Sequence, residues 1–189
     1  MAKPDEPLHR HLALLRAVNV GKRQVKMAAL REWLVEAGYT GVDTYIQTGN
    51  VKLTTPLRSQ AKVEAALEEL LLARAGFEVP CIMLTPEELT GLVADADALE
   101  PPPFADHPEQ RRFVVFFKEP PAAQDATAMA AYDATMERAV AVGRAVHLWI
   151  AGSFREAKVF GRFAKALEPG TNRNLKVVRT LEQRWGARP

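Results

Sequence analysis

Cysteine is all but missing from this 189-residue chain, where Cys81 stands alone. One thiol cannot form an internal disulfide, which argues against a disulfide-stapled secreted scaffold and fits a reducing compartment. Long apolar runs are missing too. Charges interrupt every hydrophobic stretch well short of the ~18 residues that a membrane-spanning helix needs. The opening residues Met1-Ala2-Lys3-Pro4-Asp5-Glu6-Pro7 put acids and prolines where a signal peptide requires an apolar core. The expectation is a cytoplasmic protein with no membrane association.

Motifs that would announce a chemistry are also lacking. No Gly-x-Gly-x-x-Gly occurs, so a dinucleotide fold has no support. Lys22-Arg23-Gln24-Val25-Lys26 resembles a P-loop only in its place in the chain, because Gly21 stands alone and no second glycine precedes a Lys-Ser or Lys-Thr pair. His9 and His11 fall on one side of an extended segment, but Cys81, His107 and His147 show no ligand spacing, so no metal is expected. Ser153, in Ala151-Gly152-Ser153-Phe154, lacks the trailing glycine of a nucleophile elbow. No cofactor and no catalytic group is assigned, and the sequence does not say whether the chain is an enzyme or how it assembles.

What is present is an ordinary globular composition, 48% hydrophobic and 25% charged, able to bury a core. The net charge of +2 conceals an uneven distribution. Residues 1–31 carry +5, with no carboxylate between Pro7 and Arg31; residues 32–152 carry −9; residues 153–189 carry +6. Basic ends of this kind suit phosphate or nucleic acid if they form a common face, and suit nothing beyond solubility if they scatter.

The pattern of residues predicts an α+β protein. His9 to Val18 reads as a buried strand, and Met27, Leu30, Leu34 and Ala37 recur at helical spacing before Gly38. Thr44–Gln47 and Val51–Thr54 are β-rich and are joined by Thr48-Gly49-Asn50, a tight hairpin connection. Val63, Leu67, Leu70 and Leu71 mark a second helix, and Val79 to Leu84 a short strand. The order β-α-β-β-α-β is that of a ferredoxin-like module. Thr85-Pro86-Glu87-Glu88 opens a third helix with a capping box.

Prolines 101 to 103 and Pro108 then interrupt regular structure. Arg111 to Lys118 reads as a strand and Ala122 to Met136 as a helix. Strands are predicted over 140–142, 145–150 and 154–160. A closing helix follows, with Leu175, Val178, Leu181 and Trp185 on one face and Thr171 or Asn172 as its cap. The expected organisation is a disordered segment over 1–9, a first ferredoxin-like subdomain with its linking helix over 10–96, a proline-rich linker over 97–110 and a second ferredoxin-like subdomain over 111–189.

Three stretches, Ala13-Leu14-Leu15-Arg16-Ala17-Val18-Asn19-Val20-Gly21, Val25-Lys26-Met27 and Thr44-Tyr45-Ile46-Gln47-Thr48-Gly49-Asn50-Val51, together with Gly170-Thr171-Asn172-Arg173-Asn174, carry a closer likeness. In spacing and order the chain resembles the domain of unknown function 1697 family of uncharacterised bacterial proteins. The resemblance implies two ferredoxin-like subdomains in one chain and no established activity. The chain departs from the family's usual residues at Ala17, Lys22, Thr48 and Leu175.

In such a module the first and second strands run parallel, so the loop after the first strand and the following hairpin emerge at one edge. That edge is expected to gather Arg16, Asn19, Lys22, Lys26, Gln47 and Asn50, with Arg173 and Asn174 as candidates to complete it. No Ser, Thr, Asp or Asn directly precedes the helix beginning near Lys26, which leaves its free N–H groups to an anion. The functional expectation is therefore binding of an anionic, phosphate-bearing small molecule or nucleic acid. The competing reading makes the same polar residues local ties of loop and hairpin, in a protein–protein interaction module without catalytic activity.

Overall fold

The computed structural model describes residues 7–132 and 134–188. The chain divides into two compact units, one running through Leu89 and taking in the chain from Trp185 onward, the other comprising Thr90–Arg184. Each is built on one four-stranded antiparallel sheet. Among the described residues, no helix is long and apolar enough to cross a membrane.

The first unit contains β1 (His9–Leu15), α1 (Met27–Glu36), β2 (Thr40–Tyr45), β3 (Asn50–Thr55), α2 (Gln60–Ala75), β4 (Cys81–Leu84) and the start of α3 (Pro86–Ala98). Its strand order is β2-β3-β1-β4. Because β1 and β2 are both antiparallel to β3, they are parallel to each other. The core lies on the face covered by the two helices: Ala13 and Leu15 of β1, Leu53 of β3 and Met83 of β4 meet Leu30 and Leu34 of α1 and Val63, Leu67 and Leu71 of α2. Each of the fully buried Val, Leu and Met side chains contributes about 1.5–3 kcal/mol, the Ala13 methyl less.

Local chemistry sets the helix ends. Ser59 accepts from the Lys62 amide at 3.4 Å to start α2, and Gly76, at φ 78°, ends it. The expected capping box at α3 is complete: the Thr85 amide donates to Glu88 Oε2 at 2.7 Å, and the Glu88 amide donates to Thr85 Oγ1 at 3.1 Å. α1 differs, because its N-cap is Lys26 and no side chain caps it.

The second unit contains the rest of α3, then β5 (Gln110–Phe116), α4 (Ala123–Ala130), β6 (Glu137–Val142), β7 (Ala145–Ala151), α5 (Lys158–Arg162), α6 (Ala164–Leu167), β8 (Thr171–Asn174) and α7 (Leu175–Trp185) as far as Arg184. Its strand order is β6-β7-β5-β8, again antiparallel throughout. Val115, Met129, Leu148, Ile150 and Val159 share its core. Between α3 and β5 the proline-rich stretch is turns, closed by bonds such as Ala105 N–H to the Pro102 carbonyl at 2.9 Å.

Four expectations need correction here. The segment 154–160 is not a strand: turns lead into α5. Its apolar residues follow a step of four, with Val159, Phe163 and Leu167 buried together, and the Glu137 carboxylate accepts the Lys158 and Val159 amides at 2.8 and 2.7 Å to hold the helix start. The helix expected over 122–136 stops at Ala130, where the chain turns so that Tyr132 meets Phe163 edge-on at 5.4 Å. Residues 171–174 form β8 rather than a helix lead-in, which places Arg173 on a strand. The cap of α7 is Asn174, whose Oδ1 accepts the Lys176 amide at 2.9 Å, in place of Thr171 or Asn172. Of the segment expected to be disordered over 1–9, residues 1–6 lie outside the described residues, and β1 begins at His9.

Candidate functional site

The parallel course of β1 and β2 brings the loop after β1 against the β2–β3 hairpin. Leu15 N–H donates to the Gly49 carbonyl at 2.8 Å, and Arg16 N–H to the Pro80 carbonyl at 2.8 Å. Asn19 is the clamp. Its Nδ2 donates to the Gln47 carbonyl at 2.6 Å and the Val25 carbonyl at 3.1 Å, while its Oδ1 accepts the Val25 amide at 2.8 Å. Asn50 does equivalent work inside the hairpin: fully buried, it donates to the Tyr45 carbonyl at 2.9 Å and to Thr48 Oγ1 at 3.0 Å.

The remaining members of the edge divide differently. Lys22, Lys26 and Gln47 are exposed, and no group among the described residues engages their side-chain polar atoms. Arg16 is half-buried and engaged. Arg23 leans away, with its guanidinium 5.0 Å from the centre of the Phe77 ring and Nη2 donating to the Glu78 carbonyl. Lys26 sits at the uncapped start of α1, so cationic side chains and open N–H groups fall on one short stretch of chain.

The backbone here is strained. Among the described residues three non-glycine residues adopt left-handed φ values, and all lie in these two loops: Ala17 at 55°, Asn19 at 57° and Ile46 at 50°. Asparagine tolerates that region, alanine less so, and a β-branched residue is a true outlier there. Such conformations persist only where the surroundings enforce them. Gly49, at φ 77°, is enforced sterically as well, since a Cβ would lie 2.7 Å from Leu15 Cβ and from Val18 Cγ2.

Arg173 and Asn174 belong to the second unit. Arg173 is buried, and its Nη1 donates to Thr171 Oγ1 at 2.9 Å and the Asn172 carbonyl at 2.8 Å. Burial pushes its guanidinium down to about 10. Asn174 is half-exposed at the start of α7.

Sequence reasoning missed the opposite ends of the sheets. In the first unit a cleft of about 590 Å³ opens where β1 begins and β4 ends, lined by Arg10, His11, Arg58, Thr85, Glu87 and Arg188 among others. In the second unit the corresponding end, where β5 begins and β8 ends, carries clefts of about 230 and 410 Å³. The signal was in the sequence: basic residues open the first strand of each unit, Arg10 in one and Arg111-Arg112 in the other.

Known proteins bear on the identity of this fold. A family model described as "Protein of unknown function (DUF1697)" matches residues 8–147. Among solved structures, a conserved bacterial protein from Streptococcus pneumoniae is similar in fold, with a TM-score of 0.72 over 95% of this chain and 99% of that one, at 24% identity. Comparison with curated proteins finds no match. The family match runs from the residue before β1 into β7, and the chain belongs to the DUF1697 family of proteins of unknown function.

Proposed function

We propose that this protein binds a phosphate-bearing or otherwise anionic ligand at the edge formed by the first β-α loop and the β2–β3 hairpin, within the first of two ferredoxin-like subdomains. The strand order β2-β3-β1-β4 and its counterpart β6-β7-β5-β8 support that assignment of the subdomains. On this reading Asn19 and Asn50 build the frame, and Lys22, Lys26 and Gln47 meet the ligand beside the open N–H groups of α1, with Arg16 behind them. Arg173 acts structurally and Asn174 serves α7. The observation that carries the reading is the Asn19 bridge, which bonds the Gln47 carbonyl and Val25, the residue before Lys26, with one side chain. A cytoplasmic setting fits the buried free thiol of Cys81.

A thermal-shift series with inorganic phosphate, phosphorylated sugars and short oligonucleotides tests it. The expected result is a rise in Tm that disappears in the Lys22→Ala/Lys26→Ala double variant. For oligonucleotides, affinity should also fall steeply with added salt through counterion release. A shift fully retained in the double variant overturns the assignment.

A second reading, docking of a protein partner, draws on Val20 and Ile46, which expose 65% and 43% of their surfaces on the same two loops. Replacement of both by Ser separates the two: loss of a co-purifying partner with ligand-induced shifts intact favours the partner.

A further inference from the structure

At the end of the second sheet, Gln110, Arg111 and Arg112 from the start of β5 face Lys176 and Arg179 from the first turns of α7 across the 230 Å³ cleft, and no carboxylate lines it. Two of these cations are held in place. Arg112 Nη2 donates to the Ala96 carbonyl at 2.6 Å while its guanidinium lies 4.5 Å from the centre of the Trp149 ring. Arg179 is paired with Asp97. Among the described residues the Lys176 ammonium has no partner, and Gln110 Nε2 is buried without an acceptor. Burial and then the neighbouring Arg179 charge hold the Arg112 guanidinium below its usual range, and Asp97 is shared between Arg112 and Arg179, so an anion would relieve the crowding of these cations.

The 410 Å³ cleft adjoins the first, because Arg111 and Asn174 line both. Phe113 and Phe154 form the apolar part of its wall, with Glu109 and Ser153 also lining it. Phe154 is 41% exposed, yet it is packed between Phe113 and Phe160, with ring centres at 4.6 and 4.7 Å. An exposed ring with fixed neighbours is a stacking platform for a flat heterocycle, and such stacking tolerates any base.

We propose that the second unit binds a nucleoside monophosphate group, its phosphate seated among Arg112, Lys176 and Arg179 and its base stacked on Phe154. Arg111 and Asn174 stand at the junction and meet the sugar. Gln110 supplies a further donor to the phosphate. This site does not depend on the reading of the first unit's loop edge. The cleft at the equivalent end of the first sheet is basic, but the rings in its lining are the imidazoles of His9 and His11, with no Phe, Tyr or Trp, so it lacks the phenyl platform found in the second unit.

The test is isothermal titration of the full chain at low salt with AMP, adenosine and ribose 5-phosphate. AMP is expected to bind at least about tenfold more tightly than either fragment. Lys176→Ala should weaken AMP about tenfold and leave adenosine unchanged. Phe154→Ala should weaken AMP and adenosine about tenfold and leave ribose 5-phosphate unchanged. Lys176 is exposed and Phe154 partly so, and circular dichroism with thermal midpoints verifies that both variants fold. A short 5′-phosphorylated oligonucleotide separates the two sources of the group: tighter binding than AMP assigns the site to a strand end, weaker binding to the free nucleotide. The proposal is overturned if AMP shows no saturable binding up to millimolar ligand, or if its affinity is the same in both variants as in the parent.

Discussion

The side-chain amide of Asn19 bridges 28 residues of sequence to the main-chain carbonyl of Gln47, and this 2.6 Å bond joins the exit of the first strand to the hairpin between the second and third. With its two bonds to Val25, the same side chain also sets the approach to α1. Asn19→Ala removes all three bonds and places alanine at φ 57°. A loss of about 2–4 kcal/mol is expected in urea unfolding. Asn19→Gly, which removes the bonds but not the permissive backbone, should lose about 1 kcal/mol less.

Ile46 should yield the opposite sign. A β-branched side chain at φ 50° is strained, and this one is 43% exposed, so little packing holds it there. Ile46→Asn is expected to raise stability by about 1 kcal/mol. If the strained loop serves binding, the same variant weakens whatever ligand the loop edge takes. Paired denaturation and thermal-shift measurements read both effects.

Gly49 is a steric requirement rather than a preference. Gly49→Ala drives a methyl group to 2.7 Å from Leu15 and Val18 at a positive φ, and it should cost about 3 kcal/mol or more. Amide exchange across β2 and β3 should accelerate in this variant, because the hairpin turn sets the register of Tyr45 opposite Asn50.

His147 makes stability depend on pH. It is buried on β7 with both ring nitrogens lacking partners among the described residues, and burial, then the nearby Arg112 charge, lowers its pKa to about 4. Its folded value lies below its unfolded one, so the unfolded chain takes up the proton first. The contribution is whole above about pH 6.5 and is lost as pH falls toward about 4. Unfolding free energies from urea titrations at about pH 7 and about pH 5 should differ by ~2 kcal/mol from this residue. His147→Leu should flatten that part of the profile.

Cys81 exposes none of its surface in the centre of the first core. A thiol reagent should therefore label it only through unfolding, at a rate that rises with urea as the opened fraction does. Rapid stoichiometric labelling of the native protein would contradict this packing.

Local pattern carried much of the fold. The strand at His9–Leu15, the helix built on Leu30 and Leu34, the hairpin around Gly49 and the capping box at Thr85 and Glu88 all follow from spacing and side-chain chemistry within a few residues. The misses share a cause. β8 is a polar run, Thr171-Asn172-Arg173-Asn174, that becomes a strand because β5 pairs with it. α5 begins where it does because Glu137, 21 residues away from Lys158, accepts its first amides. Neither partner is visible in a window of local sequence.

The candidate edge divides along the same line. That Lys22, Lys26, Asn19 and Gln47 gather at one end of the first sheet followed from the order of elements alone, because a β-α-β-β-α-β chain makes its first two strands parallel. Which of them spend their hydrogen bonds inside the protein did not follow, since Asn19, Asn50 and Lys26 are alike in being polar loop or loop-end residues. The clefts at the other end depend on pairing of β5 with β8, which sets Arg111 and Arg112 against Lys176 and Arg179 from more than sixty residues away. Periodicity and turn chemistry act over a few residues and so determine the elements; which side chains are consumed by packing and which stand open is decided when distant strands come into register.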